Sequence, residues 1–242
     1  MRIVPLLVVT GLLGVAKAAP VEWEFVSGAK NVPLLELFTS EGCSSCPPAE
    51  EWFSQLKSSP ALWKEIVPVA FHVDYWNSLG WNDPYSSAEW SARQREYSRL
   101  WQANSIYTPG FVFNGREWRV GASISSAGSP GELKLRLRKN GSIDTRYSPN
   151  EKSSGEYLLN VAPMACGVTQ AVPRGENAGK TLCHDFVALT LLQCPLEADS
   201  NGQCSAHLVI PPGILSRTDA IASWVTPRNN QSPIQAAGGW LK

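Results

Sequence analysis

Cys43 and Cys46 stand in the segment Phe38-Thr39-Ser40-Glu41-Gly42-Cys43-Ser44-Ser45-Cys46-Pro47-Pro48. A Cys-x-x-Cys pair does thiol–disulfide chemistry when one thiolate attacks a disulfide and a second thiol, within bonding reach, resolves the mixed disulfide. The thiolate needs an electropositive setting, which the unpaired N–H groups and dipole of a helix N-terminus supply. Cys43 reads as the nucleophile, nearest the helix start and the more exposed of the two, and Cys46 as the resolving thiol. Ser44 and Ser45 offer hydrogen bonds without charge, so the direction of electron flow is open. Glu36, in the apolar run before the pair, is a candidate to take the proton from Cys46 as it attacks; a carboxylate that fixes the strand end is the competing reading. Glu41 reads as solvated. His72 offers a third ligand beside Cys43 and Cys46 for a soft metal such as Cu(I), against the plainer reading of a satisfied core histidine.

The elements that must hold these groups are legible as alternating apolar patterns. Residues 32–38 form an apolar run before the pair, and residues 49–57 a helix-like run after it. Residues 66–76 read as a buried strand. Ser86-Ser87-Ala88-Glu89 is a capping-box pattern that opens a helix to about Gln102. Phe111-Val112-Phe113 is a strand closed by the turn pair Asn114-Gly115, with Trp118-Arg119-Val120 returning as its partner. Residues 131–139 read as a last helix, stopped by Asn140-Gly141. A polar stretch at 148–155 marks a boundary near residue 145, after which short strands follow at 157–161, 167–172, 186–192 and 206–210. Trp90, Tyr97 and Trp101 share a helical face and read as packing. Trp81 and Tyr85 fall in a loop of the aromatic insertion 77–107 and are candidates to line a groove for an extended polypeptide.

Strand, Cys-x-x-Cys, helix, strand, helix, hairpin and final helix is the order of a thioredoxin fold. Such proteins place a cis-proline before the hairpin, facing the two cysteines. Tyr107-Thr108-Pro109-Gly110 stands at that point, so Pro109 is expected cis, with the backbone of Thr108 free to pair with a substrate chain. The stretch 36–49, together with His72-Val73-Asp74-Tyr75-Trp76-Asn77, Gly80-Trp81, Asp83, Arg93-Gln94, Tyr97, Tyr107-Thr108-Pro109 and Arg174-Gly175-Glu176-Asn177 with Gly179, resembles a secreted bacterial family catalogued as domain of unknown function 1223. The resemblance spans nearly the whole chain after residue 18. It implies an α/β protein: a thioredoxin-like fold, a mixed sheet flanked by helices, over residues 19–145, followed by a smaller β-rich, sandwich-like domain over 146–242. It supplies no established activity.

The first residues read as a signal peptide: Arg2, an apolar run at 3–15 too short to span a bilayer, and Ala16-Lys17-Ala18, with cleavage expected after Ala18. No cysteine lies near that point, so no lipid anchor is expected. The reading is an exported protein, periplasmic or secreted, with no membrane insertion after cleavage. Hydrophobic residues make up 43% of the chain and the formal net charge is zero, which argues against nucleic acid or an anionic membrane as a partner. The six cysteines divide into the Cys-x-x-Cys and four later ones. Export permits disulfides. Cys194 and Cys204 flank a polar loop between two strand-like runs and are expected to pair, which leaves Cys166 with Cys183. His184-Asp185 reads as a chance neighbour pair, because adjacent strand residues face opposite ways.

The functional expectation is a thiol–disulfide oxidoreductase without cofactor, whose partners are protein thiols or disulfides and a redox partner protein. Cu(I) binding at Cys43, Cys46 and His72 is one alternative. A non-catalytic partner-binding protein with a structural disulfide is the other.

Overall fold

A computed structural model describes residues 20–122, 128–150 and 156–242. The expected signal peptide lies outside them. In chain order the elements are β1 (Val21–Val26), β2 (Leu34–Thr39), α1 (Pro47–Ser54), β3 (Val67–His72), α2 (Ala88–Leu100), β4 (Gly110–Phe113), β5 (Arg116–Trp118), β6 (Gly131–Arg138), β7 (Ser142–Pro149), β8 (Tyr157–Ala165), β9 (Val168–Ala171), β10 (Thr181–His184), β11 (Val187–Ala188), β12 (Leu192–Ala198), β13 (Cys204–Val209), β14 (Ala220–Pro227) and β15 (Gln235–Trp240). The architecture is mixed α/β: one large sheet, few helices, and a small β9–β10 ribbon. No helix among the described residues is long and apolar enough to cross a membrane.

The centre of the sheet positions the cysteines. β2 and β3 are apolar along nearly their whole length and buried on both faces, as parallel interior strands are. They pair in parallel, Leu34 with Val67 through Thr39 with His72. β4 runs antiparallel to β2, with Gly110 opposite Phe38. The chain leaves β2 at Thr39, passes the two cysteines and enters α1. The β4–β5 hairpin turns at Asn114-Gly115, both at positive φ (47° and 80°), which suits an asparagine–glycine turn. α2 begins with Ser87 as its N-cap, accepting the Glu89 N–H at 3.1 Å. This is one residue into the capping pattern.

Two expectations change. Residues 131–138 are strand β6, not a helix, and β6 is paired with β7 across Asn140-Gly141. Leu, Lys, Arg and Glu are good helix formers. Here, though, Leu133, Leu135 and Leu137 alternate with charged residues and are fully buried. That period of two belongs to a strand. The boundary expected near residue 145 falls inside β7, and the two halves share one sheet: β7 pairs with β13, and β11 pairs with β3 on one side and β8 on the other. β14, fully buried over Ala220–Thr226, adds to β8 and carries β15.

The four later cysteines are free thiols, which corrects both expected disulfides. Cys194 pairs with Leu159 of β8, whereas Cys204 pairs with Ala198, four residues further along β12. At about 3.3 Å per residue this is roughly 13 Å, and a disulfide needs a Cα separation of about 4.4–6.8 Å. On β10 the alternation of the strand sends His184 inward and leaves Cys183 exposed, while the Cys166 sulfur accepts the Phe186 N–H at 3.3 Å. Burial pushes the Cys166 thiol up to about 12. Alkylation of the native, unreduced protein should therefore modify Cys183 first and Cys166 and Cys204 slowly. After unfolding without reductant, all four should react; recovery of only two would restore a disulfide.

Candidate functional site

Cys43 and Cys46 are joined in a disulfide with a Cα separation of 5.5 Å. Cys46 is the N-cap of α1, and Cys43 lies one tight turn earlier, its N–H on the Ser40 carbonyl. Pro47 and Pro48 occupy the first two helical positions, so the N–H groups that would face a thiolate there are missing. The Cys43 sulfur meets the Ser45 hydroxyl at 3.4 Å. Gly42 allows a close approach, since a Cβ there would lie 2.9 Å from Trp76 Cβ. Trp76 in turn donates from Nε1 to the Thr108 hydroxyl at 2.8 Å. The Thr108–Pro109 peptide is cis. Because Gly110 is opposite Phe38, this turn stands at the end of β2 from which the cysteine loop departs.

A loop from the second half of the chain covers the pair. Asn177, fully buried, donates from Nδ2 to the carbonyls of Glu41 and Cys43, both at 2.9 Å. The Ser44 N–H donates to Glu176 at 3.0 Å. Cys43 and Cys46 both have 0% exposure, so Cys43 is not the open nucleophile the sequence suggests. Asn177→Ala removes two buried hydrogen bonds, worth about 1–3 kcal/mol of closed-state preference. Reduction of the disulfide by dithiothreitol should then run about ten- to hundredfold faster. An unchanged rate would show that the loop does not limit access.

Below the pair lies a buried acid–imidazole cluster. Glu50, one helical turn after Cys46, accepts a hydrogen bond from the Thr39 hydroxyl on one oxygen and meets His184 Nδ1 on the other. His184 Nε2 meets Glu41 at 3.2 Å. Burial alone would lower the pKa of His184. The hydrogen bonds and charges of Glu41 and Glu50 overcome this and push it up to about 10. Asp83 accepts the Glu41 N–H at 2.8 Å and pairs with His72 Nδ1 at 2.7 Å. The imidazoles of His72 and His184 meet edge to face, 4.9 Å between centroids.

The expected site residues divide accordingly. Cys43 and Cys46 are bonded to each other, and Thr108 is linked to their loop through Trp76, which packs against Gly42. Glu36 does not join them: strand alternation turns it, with Phe38, toward α2, while Leu37 and Thr39 face the cluster. There Arg93 Nε donates to Glu36 at 2.6 Å and the Tyr97 hydroxyl donates to its other oxygen. This is the strand-fixing carboxylate rather than the proton acceptor. Trp81 Nε1 donates to Glu41 at 2.6 Å, and the Tyr85 ring packs on His72 and His184. Both close the cluster from the side rather than lining an open groove. Glu41 is buried, not solvated. Asp185 is buried beside His184 and lines the same pocket, and its carboxylate pairs with Lys57 at 2.8 Å rather than with the imidazole. Among the described residues, the donors that converge with His72 are Glu50 and His184. The two sulfurs of the expected copper set are bonded to each other instead.

Glu50 had a signal in the sequence, four residues past Cys46 on a helix. His184 and Asn177 had none that is local, because each reaches the site across 134 residues.

No curated protein matches the chain. Two solved structures share its fold. A structural-genomics protein from Agrobacterium tumefaciens is 21% identical, with TM-score 0.65 over 88% of this chain and 96% of that one. HBP35 of Porphyromonas gingivalis is 17% identical, with TM-score 0.65 over 89% of this chain and 76% of that one. The family model described as "Protein of unknown function (DUF1223)" matches residues 34–226, and the chain belongs to that family.

Proposed function

We propose that the protein is a thiol–disulfide oxidoreductase with a thioredoxin-like arrangement around its cysteines. The observation that carries this reading is the Cys43–Cys46 disulfide at the start of α1, in a loop that Trp76 links to the Thr108 turn. In the reducing direction, the Cys43 thiolate attacks one sulfur of a substrate disulfide. A Cys43–substrate bond forms and one substrate thiolate leaves. The Cys46 thiolate then attacks Cys43 Sγ, forming Cys43–Cys46 and releasing the second substrate thiolate. Two electrons pass from the dithiol to the substrate, and a redox partner protein returns them. The backbone of Thr108 pairs with the extended substrate once the Asn177 loop has moved aside. We read the protein as exported, because the sequence of residues 1–18 has the pattern of a signal peptide.

One observation favours a second reading, a structural disulfide in a non-catalytic binding protein: both cysteines are fully buried. A redox titration in glutathione buffers, with Cys43 and Cys46 read by alkylation and mass spectrometry, separates the two. Catalysis expects a reversible midpoint between about −120 and −270 mV. The reducing end of that range is favoured, because Pro47 and Pro48 withhold donors from a thiolate. A pair still oxidised below about −300 mV would belong to the structural class.

A further inference from the structure

We propose that Glu50, His72 and His184 form a binding site for one divalent cation of the zinc type, beneath the disulfide and independent of its redox chemistry. The three ligand atoms lie within 4.8 Å of one another, and all three residues are buried. They line one small, closely packed pocket with Leu37, Phe53, Ala70 and Asp185. Asp83 accepts from His72 Nδ1, which leaves His72 Nε2 with the free lone pair. This nitrogen is buried and has no partner, a costly state for a polar atom unless a ligand meets it.

The remaining atoms of the cluster are held as a metal site requires. A ligating histidine usually presents its other nitrogen to a carboxylate, which fixes the ring and its tautomer. His72 has Asp83 in that place, and His184 has Glu41 on Nε2. Each imidazole therefore has one nitrogen anchored and one directed at the cavity: Nε2 of His72 and Nδ1 of His184. Glu50 is anchored in the same way, with one oxygen taken by the Thr39 hydroxyl and the other facing His184. A cation would take the place of the proton between His184 and Glu50 and would meet His72 as well. Two histidines and one glutamate with a further position open is a ligand set zinc adopts. Zinc bonds of about 2.0–2.2 Å in a tetrahedron hold ligand atoms roughly 3.4 Å apart, so Glu50 and His184, now hydrogen-bonded to each other, must part and His72 must settle onto the ion, side-chain shifts of about an ångström. The absence of sulfur donors disfavours Cu(I).

The test is equilibrium dialysis of the full, disulfide-oxidised chain against Zn²⁺ after chelator treatment, with metal content read by mass spectrometry. One equivalent is expected, unchanged in the Cys43→Ser/Cys46→Ser variant and in His207→Ala, whose histidine is exposed on β13. His72→Ala should lose it. Asp83→Asn should bind about 10–100-fold more weakly. The proposal is overturned if the wild type retains no zinc, if His72→Ala retains the full equivalent, or if the cysteine or His207 variant loses it. Should His72→Ala fail to fold, Co²⁺ bound to the wild type decides: d–d bands without a sulfur-to-metal charge-transfer band support the site, and a sulfur band overturns it. None of these readouts depends on turnover, so failure here leaves the redox reading standing, and the converse holds.

Discussion

Cys46→Ser should trap a mixed disulfide. With Cys46 replaced, the Cys43 thiolate still attacks a substrate disulfide, but nothing resolves the product. Incubation with a disulfide-bonded protein should yield a covalent adduct at Cys43, stable without reductant and visible by mass. Turnover should fall by about 10³-fold or more, the scale for loss of a reacting group. Cys43→Ser should be as inactive and should form no adduct. The assignment of roles rests on their places: Cys46 caps α1, and Cys43 lies in the preceding turn, next to Gly42, which packs against Trp76. Equal trapping by both variants, or by neither, would overturn it.

Arg93→Ala should destabilise the protein by about 3–5 kcal/mol, the range for breaking a buried ion pair from one side. Glu36 has no exposure, and Arg93 is nearly as buried. The guanidinium sits 5.3–5.4 Å from the ring centres of Phe71, Tyr97 and Trp224. Loss of the cation leaves the Glu36 carboxylate in an apolar setting, with Tyr97 alone to satisfy it. Glu36→Leu combined with Arg93→Met removes both charges and should recover most of the loss, because an apolar pair of similar volume often replaces a buried ion pair without penalty. Urea unfolding of the three proteins checks this. Additive losses in the double variant would show that the pair is not coupled.

The parts of the fold that could be read in advance were set by local chemistry. The Asn114-Gly115 hairpin, a serine cap on α2, and the apolar β2 and β3 each follow from residues within a few positions, whereas the cis peptide at Pro109 follows from the order of elements that a thioredoxin fold shares. Residues 131–138 were misread because composition and periodicity disagree there, and periodicity decides for buried leucines. The second half was misread as a separate stapled unit because strand partners such as Ala70 and Val187 carry no mark of each other. The candidate site was half legible: the cysteines and the turn opposite were visible, the cover and the cluster were not. Glu41 looks solvated beside Gly42 and Cys43, and only burial by Trp81, Asn177 and His184 makes it an interior carboxylate.

The distance in sequence between Cys43 and its cover has a consequence for how the protein is born. Asn177 follows Cys43 by 134 residues, as His184 follows Glu50. At a synthesis rate of about 5–20 residues per second, the cysteine pair emerges roughly 7–27 seconds before the loop that will shelter it. Of the strands that complete its sheet, β8 arrives in that interval, and β11 and β14 follow it. Until that loop arrives the nascent pair has no shelter, so control of access belongs to the finished architecture and not to the cysteine segment alone.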